Sequence, residues 1–160
     1  LHTAAALGEE ETCASLLASG AKTSARTPGG QTPGHYAASK GRVEVLEKLL
    51  SADDEWLTAE DGVGATPLHR AAARGQLKVL DFLVDAHSKG SIDVPKHALE
   101  TRDKRGQTAL LVACEAGQEE AVIRLAKHGA NIDARDAEKN GIEELAPKLV
   151  SALRGIVAER

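Results

Sequence analysis

The chain has 160 residues, a net charge of −4, 42% hydrophobic residues and only 2% aromatics. A core of this length has to be built from Ala, Leu and Val, which suits thin stacked helices and argues against a sandwich or barrel. The mild charge gives no reason to expect nucleic acid or a membrane surface as partner, and no apolar run approaches the roughly 18 residues of a spanning helix.

In chain order, helical segments come in pairs. Leu1 opens on L-H-T-A-A-A-L-G, a short helix ending at Gly8, and a second helix follows up to a turn near Arg26. A unit over Thr27–Glu60 begins with the Gly29-Gly30 turn and continues into Thr32-Pro33-Gly34-His35. Threonine before proline reads as an N-cap followed by a first-turn proline, whose missing N–H costs nothing there. Ala37-Ala38 keep that helix thin, Gly41 ends it, and Val45, Leu46, Leu49 and Leu50 give the next helix one apolar face. The segment Asp53-Asp54-Glu55-Trp56-Leu57 follows, with Trp56 expected to pack into the groove between units.

The unit over Asp61–Arg102 repeats the pattern as Thr66-Pro67-Leu68-His69, Ala71-Ala72, Gly75, then Val79, Leu80, Leu83 and Val84. At 42 residues it exceeds a 33-residue repeat by nine. The excess falls in His87–Arg102 and is expected to be surface padding, with a partner-specific contact as the alternative. A unit over Asp103–Arg135 carries T-A-L-L-V-A-C-E-A-G from Thr108 and the face Val122, Leu125, Ala126. A degenerate unit fills Asp136–Arg160, with a break expected at Ala146-Pro147. Beyond it, a capping helix places Leu149, Val150, Leu153, Ile156 and Val157 on one stripe.

With His2, His35, His69 and Leu111 as phase markers, the units are 33, 34 and 42 residues apart. This period, the T-P-x-H words, the alanine pairs and the turn glycines resemble the ankyrin repeat. The resemblance implies an all-α solenoid of stacked helix–turn–helix units with short β-turn or hairpin loops, four recognisable repeats and a degenerate C-terminal cap. One repeat cannot bury its apolar face alone, so stacking makes a continuous core. Since Leu1 opens inside a motif that has lost its Thr-Pro, the chain is read as a piece of a longer array.

Chemistry is not expected. His2, His35 and His69 recur once per unit, roughly 8–10 Å apart, too far to share an ion that needs ligands at about 2 Å. The expected role is structural, tying each first helix to a neighbouring turn. No H-E-x-x-H, P-loop, G-x-G-x-x-G or G-x-S-x-G word occurs, so neither an enzyme activity nor a cofactor is anticipated. Cys13 and Cys114 fall on apolar helix faces of different units. They read as reduced core thiols of a cytoplasmic or nuclear protein rather than a disulfide.

In arrays of the ankyrin kind, the hairpin tips and the exposed ends of the inner helices line the concave side. Mapped onto this sequence, that rule selects Arg26, Gln31, Ser39, Lys40, Arg74, Lys104, Arg105, Gln107, Glu115, Arg135 and Glu138. Six are basic and two acidic. The acids collect instead on loops and outer helices, at Glu9–Glu11, Glu44, Glu47, Asp53–Glu55, Asp81, Asp85, Glu119 and Glu120. The expectation is a monomer with a basic concave stripe that meets an acidic protein surface.

The order of several words is similar to the ankyrin-repeat chaperones of proteasome assembly. H-Y-A-A-S-K at His35–Lys40 precedes H-R-A-A-A-R-G-Q-L-K at His69–Lys78. V-A-C-E at Val112–Glu115, G-A-N-I-D from Gly129 and a final L-R-G-I follow. That resemblance implies, as partner, the C-terminal domain of an ATPase subunit of the proteasome regulatory particle. Two features depart from it. The nine-residue excess has no counterpart, and the L-x-C-x-E word used for retinoblastoma-type partners is replaced by Val112-Ala113-Cys114-Glu115-Ala116, so that activity is not carried over. A general signalling scaffold, or an ankyrin arm of a larger enzyme, is the alternative reading.

Overall fold

The structure is a computed structural model and describes the backbone of residues 1–89 and 95–159 and the side chains of 1–86 and 98–159. The middle of the expected padding, residues 90–94, lies outside the described residues. Within them, the elements are helices joined by turns: α1 (His2–Leu7), α2 (Glu10–Ala18), α3 (Pro33–Lys40), α4 (Val43–Ala52), α5 (Pro67–Ala73), α6 (Leu77–Lys89), α7 (Pro95–Glu100), α8 (Ala109–Glu115), α9 (Glu119–His128), α10 (Ile142–Leu145) and α11 (Val150–Ala158). The short helices α1, α3, α5, α8 and α10 stack in one row, and α2, α4, α6, α9 and α11 form a second row behind it. The expected solenoid is what forms.

Small residues let the first row stack closely. Ala5, Ala37, Ala38, Ala71, Ala72 and Ala113 are wholly buried, while Val45, Leu46, Leu49, Leu80, Leu83, Val122 and Leu125 carry the apolar volume of the second row. Each buried Leu or Val stabilises by roughly 1.5–3 kcal/mol relative to leaving it in water. The two rows turn into each other at glycines, and Gly75 shows why. It has φ +63°, and a Cβ there would also press on the Gln118 side chain of the next repeat. A β-branched residue meets both a strained backbone and a neighbour at that point.

Trp56 is fully buried and its indole N–H donates to the Asp53 carbonyl at 3.2 Å. Its ring lies where a Cβ on Gly34 would have to go. The third repeat has Leu68 at the corresponding place, buried to 1% exposure. Thus the second repeat drops a leucine from its inner helix and refills the volume with an indole from the connecting segment.

The expectation of surface padding after the third repeat's second helix is corrected for its described part. Residues 95–100 form α7, which packs against α6 and α8. Leu99 joins the core at 2% exposure, and Glu100 accepts the Asn131 N–H at 2.9 Å. A helical Ala98-Leu99 step can bury apolar area that a loop would leave in water. At the C-terminal end the break falls where expected, with a 3-10 turn at Pro147–Leu149 before α11. The expected stripe is shorter, however. Leu149 and Leu153 are buried and Val150 and Ile156 half-buried, but Val157 is 41% exposed, because the last turn of α11 runs past its neighbours.

Candidate protein-binding face

The Thr-Pro-x-His words set the geometry of the face. Thr32 caps α3, and its backbone N–H donates to His35 Nδ1 at 3.1 Å; Thr66 and His69 repeat this at 3.2 Å. A nitrogen that accepts an amide N–H has to be unprotonated, so the proton sits on Nε2. From there His35 donates to the Ala65 carbonyl at 2.9 Å and His69 to the Gln107 carbonyl at 3.1 Å. Each acceptor belongs to the hairpin of the next repeat. His2 does the same toward Ala25 and Gln31. Burial pushes both the His35 and His69 pKa values down, with the carbonyl bond opposing only in part. The histidines therefore tie repeats together, as expected, and no group of His, Cys, Asp or Glu among the described residues is arranged to hold a metal.

The hairpins are shaped by aspartates. Asp61 Oδ1 accepts the N–H groups of Val63 (3.0 Å) and Ala65 (3.1 Å); Asp103 takes those of Arg105 and Gln107, and Asp136 those of Glu138 and Asn140, all at 2.9 Å. Such side-chain turns compete with regular structure and fix the loop locally. Burial alone would raise the Asp61 pKa, but the Arg70 guanidinium and the two amides hold it below its ordinary value. Consecutive tips are then joined main chain to main chain: Gly62 N–H to Gly29 O at 2.8 Å, Lys104 N–H to Val63 O at 3.0 Å, and Ala137 N–H to Arg105 O at 3.0 Å.

The eleven residues selected from the sequence divide by what they touch. Arg26 is exposed but donates to the carbonyls of Gly30 and Glu60. Lys104 Nζ donates to Gly62 O at 2.8 Å. Arg105 forms a two-pronged ion pair with Glu115 at 2.8 and 2.7 Å, and this pairing holds the Glu115 pKa down. Arg135 reaches Lys139 O at 2.9 Å together with Glu143 and Glu144. Glu138 is exposed beside Asn140. Gln31 and Ser39 are half-buried, and the Ser39 carbonyl accepts from Gln76 Nε2 at 3.3 Å. Gln107 is 1% exposed and presents no side chain to a partner. Of the six cations in the set only Lys40 and Arg74, both exposed, have side chains without a hydrogen bond or ion pair among the described residues.

A groove of about 390 Å³ runs between the hairpins of the third and fourth repeats. Its walls include Val63, Ala73, Lys104, Arg105, Val112 and Glu115. It gathers Lys104, Arg105, Gln107 and Glu115, while the remaining selected residues lie outside it. Two contributors escaped the sequence reading. Val63 is an apolar residue 53% exposed between two turn glycines, a combination visible in the sequence. Arg102 donates to the carbonyls of Gly106 and Arg135, and the repeat period alone would align it with Arg26.

Among the described residues no helix is long and apolar enough to cross a membrane. Cys13 and Cys114 are free and buried, and burial pushes the Cys114 thiol up to about 12. No curated protein matches the chain. A family model of three ankyrin repeats matches residues 1–95 and again residues 58–136. Together with the stacked helix pairs, the threonine–histidine caps and the joined hairpins, this match places the chain in the ankyrin-repeat family, whose repeats serve protein–protein binding.

Proposed function

We propose that the chain is a gankyrin-like chaperone, holding the C-terminal domain of a proteasomal ATPase subunit through an acidic surface of that domain. One observation carries the reading. Lys40 at the end of α3 and Arg74 just past the end of α5 are exposed cations with no acceptor among the described residues. They sit on adjacent inner helices, about 8–10 Å apart by ordinary helix packing, and can answer two carboxylates spaced alike. The order of gankyrin-like words along the chain supports the choice of partner. Two buried thiols suit the reducing cytoplasm or nucleus, where such a partner is assembled.

The test is binding to a recombinant C-terminal domain of a proteasomal ATPase. Reversing Lys40, Arg74 and Arg105 to Glu together should weaken binding roughly tenfold or more at low salt, since single exposed charges contribute only about 0–1 kcal/mol each. The parent's affinity should fall as salt shortens the Debye length from about 10 Å at 0.1 M toward about 3 Å at 1 M. Circular dichroism establishes first that the triple variant folds. A folded triple variant that binds as tightly as the parent at low salt removes the mechanism. The second reading, a general scaffold, is favoured by α7, which adds surface that gankyrin lacks. Affinity capture that brings down no proteasomal ATPase decides for it.

A further inference from the structure

Four hairpins of the array close in the same way. The first residue of each bonds to the carbonyl four places on (Thr27 to Gln31, Asp61 to Ala65, Asp103 to Gln107, Asp136 to Asn140), each at 3.0 Å. The residue three places on, at Gly30, Gly64, Gly106 and Lys139, is left-handed in every case, with φ between 70° and 78°. Just before three of these hairpins stands an arginine. Arg26 donates one Nη1 to Gly30 O and to the carbonyl of the matching residue in the next repeat, Glu60. Arg102 does this with Gly106 O and Arg135 O, and Arg135 with Lys139 O. The chain thus binds a guanidinium at this place repeatedly, and always with arginine rather than lysine.

The second of these hairpins, Asp61–Ala65, is the exception. Glu60 occupies the arginine position, so the carbonyls of Gly64 and Arg102, which correspond to those of Gly30 and Glu60, accept no hydrogen bond among the described residues. The Glu60 carboxylate is exposed and also has no partner there. Relief of repulsion between Arg26 and Arg102 would account for an acid in this row if it paired with either, and it pairs with neither. Lys104 does not fill the gap, because its Nζ goes to Gly62 O.

We infer that the place beside Glu60 is a binding site for an arginine side chain supplied by a partner peptide. The guanidinium would donate to the Gly64 and Arg102 carbonyls, as Arg26 and Arg102 donate to the matching carbonyls of the neighbouring repeats, and the Glu60 carboxylate would add the opposite charge. A planar group with five N–H donors matches three acceptors of this kind, where an ammonium matches them less well. The site is separate from the cations of the proposed acidic contact and stands or falls without it.

The probe is the peptide Gly-Arg-Gly at millimolar concentration, with its citrulline counterpart as the uncharged control. Amide shifts of the intact chain are the readout. Gly-Arg-Gly should move the Gly64 and Asp103 amides, and the citrulline peptide should move them less. Glu60→Gln keeps the side-chain length and should weaken the response at least about threefold. Glu60→Arg places the guanidinium in the chain itself, so it should abolish the response and raise the melting temperature by about 2 °C. Equal shifts in Glu60→Arg and the parent, or Gly64 and Asp103 amides that do not move in the parent, overturn the site.

Discussion

The inner helices of the second and third repeats begin with nearly the same word, yet they fill their cores differently. In the third repeat Leu68 supplies its own apolar volume. In the second, Gly34 leaves that volume empty and Trp56 enters it from beyond α4. The caps and the histidine ties are common to both, with Thr32–His35–Ala65 repeated as Thr66–His69–Gln107. The comparison teaches that the motif governs how repeats are joined, whereas core volume can be provided by any segment that reaches it.

A double-mutant cycle would break that comparison most directly. Trp56→Ala should cost about 3–5 kcal/mol through the cavity it leaves, and Gly34→Leu alone about 1–3 kcal/mol through overpacking against the indole. The double variant should be more stable than the sum implies, because the new leucine can enter the vacated space as Leu68 does. Additive denaturation midpoints would show that the two sites are not one volume.

The turn that both repeats share should respond less strongly. Gly75→Val is expected to cost about 1–3 kcal/mol from the strained positive φ and the pressure on Gln118. Ser39→Ala should stay within about 0.5 kcal/mol, since the Ser39 group bonded to Gln76 is its carbonyl. Equal melting temperatures for the two would mean that the turn tolerates a side chain.

The smallest expected effect is on pH dependence, and it should be common to both repeats. His35 and His69 have pKa values lowered by burial from 6.5. Below that value the unfolded chain binds protons that the folded imidazoles refuse, so stability is lost as pH falls from about 6.5 toward the lowered values. Asp61 acts in the same direction in stronger acid, below its ordinary 3.8. The urea midpoint should therefore be lower at pH 5.5 than at pH 7.5, and a flat profile across that window would contradict the assigned tautomers.

Much of this was legible in the sequence because the signals are local. Thr-Pro-x-His fixes a cap and a ring position, alanine pairs permit close stacking, and glycines at 41 and 75 end helices. The binding face was less legible, and the reason is chemical. Arg26, Lys104 and Arg135 spend donors on main-chain carbonyls, and every residue type carries a carbonyl, so no letter in the sequence marks the acceptor. Counting charges therefore does not separate cations already bonded within the chain from those with unused donors. Gln107 was misread for a related reason. A polar residue at a hairpin suggests exposure, but here it is buried to 1% exposure. The helix α7 carries only a short apolar step, too little for periodicity to distinguish it from a loop.

The tip-to-tip bonds have a mechanical consequence. At the hairpin edge, Gly62 to Gly29, Lys104 to Val63 and Ala137 to Arg105 each fix one junction through main-chain atoms of set length. The opposite row is held by aliphatic side chains, whose contacts carry no directional requirement, and by ion pairs such as Lys48–Glu10 and Arg124–Asp81, carried on flexible side chains rather than on the main chain. Any change of curvature has to pivot about the hairpin edge while the outer helices spread or close. A partner gripping the tips would thus meet a ruler of constant spacing, and one reaching for the back would meet a surface that bends.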